Sequence, residues 1–138
     1  MMSIWKDYHQ TERRTENMWL YLKTGFYSVV HKEPCKKEEL LIRARAWEDI
    51  DALRQVLKDR YSFEGVVIDT PEADYAYRMV VPRQTFALFI LNAAVAVRYD
   101  NFKNTISIND HPRHNAYMRC WKAMYEWQKN LQSVRRKS

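Results

Sequence analysis

Two periods of hydrophobic and polar residues alternate along this chain after residue 17. A period of two, typical of β-strands, runs through five segments: residues 19–23, 26–31, 40–46, 63–68 and 75–81. A spacing of three and four, typical of amphipathic helices, replaces it in residues 47–60 and 112–131. With the apolar segment described next, the pattern predicts the order strand, strand, strand, helix, strand, strand, helix, helix.

One segment, residues 82–97, is apolar on every side except at Asn92. On a helix, Phe86 and Phe89 lie on one flank, and Leu91 and Val95 lie on the opposite one. The segment therefore predicts a core helix that is covered from more than one direction.

These elements predict an α+β fold. We expect a two-layer sandwich in which helices pack on one face of an antiparallel sheet of four or five strands, ferredoxin-like in spirit. The chain has 138 residues, enough for one core that needs neither a disulfide nor a metal. We divide it into an N-terminal extension, 1–17, a single domain, 18–131, and a basic tail, 132–138. The pattern does not determine the strand order.

The cellular location follows from three sequence features. Residues 1–17 contain no apolar run of the kind that a secretory signal needs. No apolar run reaches the roughly 20 residues of a membrane span. Cys35 and Cys120 are lone thiols without metal-ligand spacing. We expect a cytoplasmic protein without membrane contact.

Positive charge is concentrated at the C-terminal end. The whole chain has a net charge of +6, and residues 111–138 alone have a net charge of +6. On the last predicted helix we expect the inner face to be core and to consist of Tyr117, Cys120, Trp121, Met124, Trp127 and Leu131. The outer face and the tail supply the basic positions Arg119, Lys122, Lys129, Arg135, Arg136 and Lys137.

These basic positions predict a surface for acidic partners. They could neutralise the phosphates of nucleic acid. Bases could stack on sheet aromatics if one sheet face is open, and the candidates are Trp19, Tyr21, Tyr27, Tyr75 and Tyr77. A basic last helix also complements its own dipole, so a structural role for the same charges stays open.

A second polar cluster follows the fourth predicted strand. Asp69, Asp74 and Arg78 lie within ten residues of each other, and Asp100 follows the apolar segment. Converging carboxylates could bind a hard cation or serve as acid and base. A solvated turn, with Asp74 paired to Arg78 or Arg83, explains the same residues.

Other signatures of chemistry are weak or lacking in the sequence. His111 and His114 are three residues apart, but a third metal ligand with determined spacing is not visible. Two glycines 40 residues apart build no phosphate-binding loop. We expect no metal and no cofactor.

Four segments carry a resemblance to other proteins: Gly25-Phe26-Tyr27-Ser28-Val29-Val30, Ile42-Arg43-Ala44-Arg45, Asp69-Thr70-Pro71 with Ala73-Asp74-Tyr75 and Tyr77-Arg78, and Tyr99-Asp100-Asn101-Phe102-Lys103. Together they resemble a family of small uncharacterised bacterial proteins. The resemblance spans residues 18–127. It implies a domain boundary near Met18 and no chemistry.

These observations predict a non-catalytic binding or regulatory module that contacts nucleic acid or a nucleoprotein through its basic C-terminal helix. A protein–protein interaction module is the first alternative. A small metal-dependent hydrolase that uses Asp69, Asp74 and Asp100 is the second. The oligomeric state and the identity of the partner stay open.

Overall fold

The computed structural model describes residues 17–98, 106 and 110–137. The chain divides into two compact units, residues 1–96 and 97–138. This division falls inside the range 18–131 that we assign to one domain from the sequence. Residues 1–16, which make up nearly all of the predicted N-terminal extension, lie outside the described residues.

The first unit contains five strands and two helices: β1 (Met18–Leu22), β2 (Gly25–Val30), β3 (Glu39–Ala44), α1 (Trp47–Tyr61), β4 (Val67–Asp69), β5 (Tyr77–Pro82) and α2 (Arg83–Val95). The second unit contains α3 (His111–Lys137). The order of the elements is the predicted one. The prediction of an α+β fold with an antiparallel sheet is confirmed.

The five strands form one open antiparallel sheet in the order β1-β2-β3-β5-β4. Because β5 is antiparallel to both of its neighbours, β3 and β4 run parallel to each other with β5 between them. The chain connects β3 to β4 through α1, which makes a split βαβ unit.

The core lies between one face of the sheet and the two helices. Its buried side chains come from the sheet (Tyr27, Val29, Ile42, Ala44, Met79, Val81), from α1 (Ile50, Leu53, Leu57) and from α2 (Phe86, Phe89). Both helices therefore cover the same face. Two contacts link them: the Asn92 amide donates to the Tyr61 hydroxyl, and that hydroxyl donates to the Leu88 carbonyl at 3.1 Å.

The prediction that α2 is covered from more than one direction is wrong. Phe86 and Phe89 are buried, but Leu91 is 52% exposed and Val95 is 61% exposed. The two flanks consist of the same types of residue. In the described first unit, only the flank that faces the sheet and α1 is covered by other elements. Pro82, the last residue of β5, precedes the start of α2 as predicted.

Asp49, in the first turn of α1, ties this helix to β2. Its carboxylate accepts the Phe26 amide at 2.9 Å, and its backbone carbonyl accepts the Tyr27 hydroxyl at 2.7 Å. Gly25 leaves the space that the tyrosine ring needs, because a Cβ atom there would lie 2.6 Å from the Tyr27 hydroxyl oxygen. The Asp49 side chain is buried, so both hydrogen bonds are shielded from water.

We expect Phe86→Ala to lower the free energy of unfolding by about 3–5 kcal/mol, the range for emptying a packed aromatic site. Leu91→Ala, on the exposed flank of the same helix, is the matched control and should cost less than about 0.5 kcal/mol. Urea denaturation of both variants measures the difference. Similar losses at the two positions would show that the outer flank of α2 is also packed.

We expect Asp49→Ala to cost about 1–3 kcal/mol, because it leaves the Phe26 amide without its acceptor. Asp49→Asn keeps a carbonyl oxygen at the same place and should cost less. Chemical denaturation measures both. If the two variants lose the same stability, the hydrogen bond to Phe26 is not the source of the loss.

Candidate functional site

Asp110 caps the helix of the second unit. Its carboxylate accepts the backbone N–H of Arg113 at 3.2 Å and the Nε–H of Arg113 at 2.9 Å. Pro112 follows in the first turn, where it removes no needed donor. The hydrogen bond from Arg113 lowers the pKa of the Asp110 carboxyl. The cap is therefore fully effective above the usual Asp pKa of about 3.9 and is lost as the pH falls through the lowered value.

The apolar side of α3 is exposed along most of its length. Tyr117 is buried and Cys120 is half-buried, but Met124 is 58% exposed and Trp127 is 56% exposed. Trp121 and Leu131 are exposed as well. The prediction that this inner face is core is therefore wrong beyond Cys120. The periodicity of a helix shows which residues share a side, not whether another element covers that side.

The apolar residues of α3, buried at Tyr117 and exposed from Met124 onward, follow a heptad spacing. Intervals of three and four residues alternate along the set that we call the apolar face of α3: Tyr117, Cys120, Met124, Trp127, Leu131 and Val134. This is the a/d pattern by which one helix packs against another helix in a coiled coil.

A shallow groove runs beside this face. It has a volume of about 440 Å³ and is lined by Trp121, Met124, Tyr125, Trp127, Gln128, Leu131, Gln132 and Arg135. The rings of Trp121 and Tyr125 stack with centroids 5.3 Å apart, and Lys129 Nζ lies 4.9 Å from the Tyr125 ring centroid. These contacts lie within the one helix.

The six predicted basic positions are all exposed: Arg119, Lys122, Lys129, Arg135, Arg136 and Lys137. At 100° per residue, Lys122 and Lys129 lie opposite the apolar face, whereas Arg135 lies beside it and lines the groove. The helix ends at Lys137, so the predicted tail continues α3 and places Arg136 and Lys137 in its last turn. Cations there suit the helix dipole.

The predicted carboxylate site is only partly within the described residues. Asp69 is exposed at the end of β4 and pairs with Tyr77 of β5. Asp74 accepts the Tyr75 amide at 3.0 Å and lies 3.9 Å from Arg78. Asp100 lies outside the described residues. Among the residues that are described, no three His, Cys, Asp or Glu side chains are grouped so that they could hold a metal ion.

The loop between β4 and β5 is held by its own hydrogen bonds. Thr70 Oγ1 donates to the Tyr75 carbonyl at 2.8 Å, and the Thr70 amide donates to the Ala76 carbonyl at 2.7 Å. These are contacts of the structured turn that the sequence offers as the alternative to a carboxylate site. These hydrogen bonds position the backbone of Tyr75, whose side chain is buried.

Arg43 and Arg45 lie over the ring of Tyr75, and Arg78 stands next to Arg43 on the neighbouring strand. The Cζ atoms of Arg43 and Arg45 lie 4.4 Å and 4.3 Å from the Tyr75 ring centroid. Arg78 is the direct partner of Arg43 across β3 and β5. We call Arg43, Arg45 and Arg78 the arginine cluster. The prediction that Asp74 pairs with Arg78 agrees with their 3.9 Å separation.

The candidate aromatics on the sheet do not form one surface. Tyr27 is in the core and Tyr75 is buried, while Tyr77 is half-buried with its ring centroid 5.7 Å from that of Trp47. Trp19 and Tyr21 are exposed, with ring centroids 6.1 Å and 4.6 Å from that of Phe26. Only these last two keep the predicted exposure.

Sequence reasoning missed the arginine cluster although one signal was present. Alternation along β3 places Arg43 and Arg45 on one side of the strand, and alternation along β5 gives Arg78 a defined side as well. Nothing in the pattern indicates that β3 and β5 are neighbours. The two strands are neighbours because of the strand order of the sheet, which the sequence pattern does not determine.

No protein-family model, curated protein or solved structure matches this chain at a significant level. The resemblance to a bacterial family therefore stays a prediction. In the part of the chain that the structure describes, no helix combines the length and the apolar character needed to cross a bilayer.

Proposed function

We propose that this chain is a non-catalytic binding module whose contact element is α3. The observation that carries the proposal is the exposure of the apolar face of α3. On the order of 600 Å² of apolar surface is exposed on this helix. It comes from Met124, Trp127, Leu131 and Val134 of the apolar face and from Trp121 and Tyr125 beside it. A surface of that size equals the largest apolar patches of typical monomers, which are often functional.

The spacing and the charge of α3 indicate the partner. A heptad face packs best against another amphipathic helix, through knobs that enter the holes of the facing helix. Within α3, seven Arg and Lys residues accompany one acid, Glu126, which lies on the side opposite the apolar face. Arg135, which lines the groove beside the apolar face, would meet the flank of the partner. The partner is therefore a protein helix with acidic flanking positions.

A second copy of the chain fits this surface less well. Two α3 helices would bring net charges of +6 and +6 together, and repulsion at flanking positions weakens coiled-coil pairing. An acidic helix gains attraction at the same positions. Self-association is therefore a separate outcome of the test.

A cytoplasmic location belongs to the same proposal. Cys35 and Cys120 are not joined in a disulfide. Cysteines that are not bridged are typical of a reducing compartment.

A designed peptide tests the protein-helix proposal. We expect a four-heptad peptide with leucine at its a and d positions and glutamate at e and g to bind the full chain. Calorimetry, which needs no tryptophan reporter, measures the binding of the unmodified chain and of its variants. Trp127→Ala with Leu131→Ala should weaken binding at least roughly tenfold, because truncated interface anchors typically cost more than 1 kcal/mol each.

Two controls make this test specific. A peptide with lysine at e and g should bind more weakly than the glutamate peptide, and Lys122→Gln, on the far side of α3, should leave binding nearly unchanged. Light scattering of the chain alone reports self-association. A stable dimer without peptide, or equal binding of the two peptides, would contradict an acidic partner.

Nucleic acid is the second candidate partner, and the exposed side of α3 that carries Arg119, Lys122 and Lys129 favours it. We expect replacement of these three residues by glutamine to weaken binding to a short oligonucleotide without a large change in melting temperature. The slope of log affinity against log salt should fall by up to about 0.9 for each lost phosphate contact on duplex DNA. Fluorescence anisotropy across a salt series measures both quantities. An unmodified chain that binds neither DNA nor RNA at low salt would remove this candidate.

A further inference from the structure

Two arginines face each other on the sheet surface that lies away from α1 and α2. Arg43 and Arg78 are direct partners in the antiparallel register of β3 and β5. Directly opposed Cβ atoms in such pairs lie about 4.5–5.5 Å apart, and like charges at this separation destabilise a sheet. The pair therefore needs negative charge nearby.

Among the described residues, the neighbours of this pair supply little of that charge. Arg43 Nη2 donates to the Ser28 hydroxyl at 2.8 Å, and this partner is neutral. Asp74 lies 3.9 Å from Arg78 Nη2, which is too long for a hydrogen bond. The same carboxylate oxygen already accepts the Tyr75 amide.

The buried parts of the two guanidinium groups also lack acceptors. The Nε atoms of Arg43 and Arg78 are buried, and no group of the described residues accepts a hydrogen bond from either one. Unpaired donors of charged groups in a buried setting are costly. A ligand with several acceptor oxygens would offset this cost.

Tyr75 holds the cluster in position. Its buried ring lies 4.4 Å from the Cζ atom of Arg43 and 4.3 Å from that of Arg45, distances typical of cation–π contacts. Arg45 Nη1 also donates to the Asp74 carbonyl at 2.8 Å. Arg45 is exposed and the other two arginines are half-buried, so solvent reaches the cluster from the side of Arg45.

We propose that the arginine cluster, Arg43, Arg45 and Arg78, binds a phosphate group. Three guanidinium groups and the Asp74 carboxylate give a net charge of +2. A phosphate monoester carries about −1.5 to −2 charges near pH 7 and offers three acceptor oxygens. Guanidinium groups pair with phosphate through two parallel hydrogen bonds, which suits arginine better than lysine. The site lies on the sheet of the first unit and is independent of the function proposed for α3.

The phosphate could belong to inorganic phosphate or to a nucleotide. Trp19, Ser28, Arg43 and Arg78 stand in one register row across β1, β2, β3 and β5. At about 4.8 Å per strand, exposed Trp19 is roughly 10 Å from Arg43. A base could therefore stack on Trp19 only if the ligand is long enough to span the two positions.

Thermal unfolding of the full chain tests the proposal, in phosphate and in chloride at equal ionic strength. We expect phosphate to raise the melting temperature and Arg78→Gln to abolish that rise. Calorimetry should show binding to Arg78→Lys that is at least roughly tenfold weaker, because lysine keeps the charge and loses the paired donors. Arg60→Gln, which removes an exposed arginine at the end of α1, is the charge-matched control and should keep the rise.

The folded state of the variant is measured in the same experiment. In chloride, Arg78→Gln should melt at the same temperature as the unmodified chain or higher, because it removes one of two opposed charges. If this variant fails to fold, Arg45→Gln, at an exposed position, takes its place with the same expected loss of the phosphate effect.

Four results would overturn the site, and the first three concern phosphate and the cluster itself. These are equal melting temperatures in phosphate and chloride, an equal rise in acetate, or a phosphate effect that survives in the variants of the cluster. Loss of the effect on replacing Arg119, Lys122 and Lys129 would place phosphate on α3 and overturn it as well. Titrations with inorganic phosphate and with AMP then separate the sources. Tighter AMP binding that Trp19→Ala removes supports a nucleotide, and equal binding supports recognition of the phosphate alone.

Discussion

The hydrogen bonds that Asp49 makes to β2 fix the position of the whole helical layer of the first unit. The pairing of β2 with β3 ends at Ser28 and Arg43, so the Phe26 amide lies beyond the last residue of β3 that could accept it. The Asp49 carboxylate accepts this amide in place of a strand. Since α1 begins at this contact and leads to β4, the same contact positions the crossover of the split βαβ unit. Gly25 is required there because no larger residue leaves space for the Tyr27 hydroxyl.

The apolar side of α1 is buried in the core, but apolar surface on α2 and α3 is left exposed. The buried flank of α2 completes the core, while its outer flank and most of the apolar face of α3 stay exposed. The proposed binding surface and the core are thus built from the same residue types. They differ in whether another part of the described chain packs against them.

The elements could be predicted from the sequence because each depends on local spacing. Alternation identifies β3 and β5, and the spacing of three and four identifies α1 and α3. Which apolar residues are buried could not be predicted. Leu91 and Phe89 are equally apolar and differ only in whether another element packs against them. The arginine cluster could not be predicted either, because Arg43 and Arg78 are far apart in the chain and meet only through the position of β5. The basic positions of α3 could be placed on a helix from the sequence, but the position of Arg135 beside the groove depends on the helix continuing to Lys137.

The position of β5 also means that the sheet of the first unit cannot be completed until its last strand has been synthesised. Of the five described strands, β5 is synthesised last, yet it lies between β3 and β4, which are synthesised before it. Among these strands, the three-residue β4 pairs only with β5. Until residue 82 has been added, β3 presents a row of unpaired backbone groups along one side. Unpaired strand edges of this kind promote aggregation. A chain that is cut or stalled before residue 77 therefore carries an exposed edge, which a chain that continues to residue 96 has covered with its own β5.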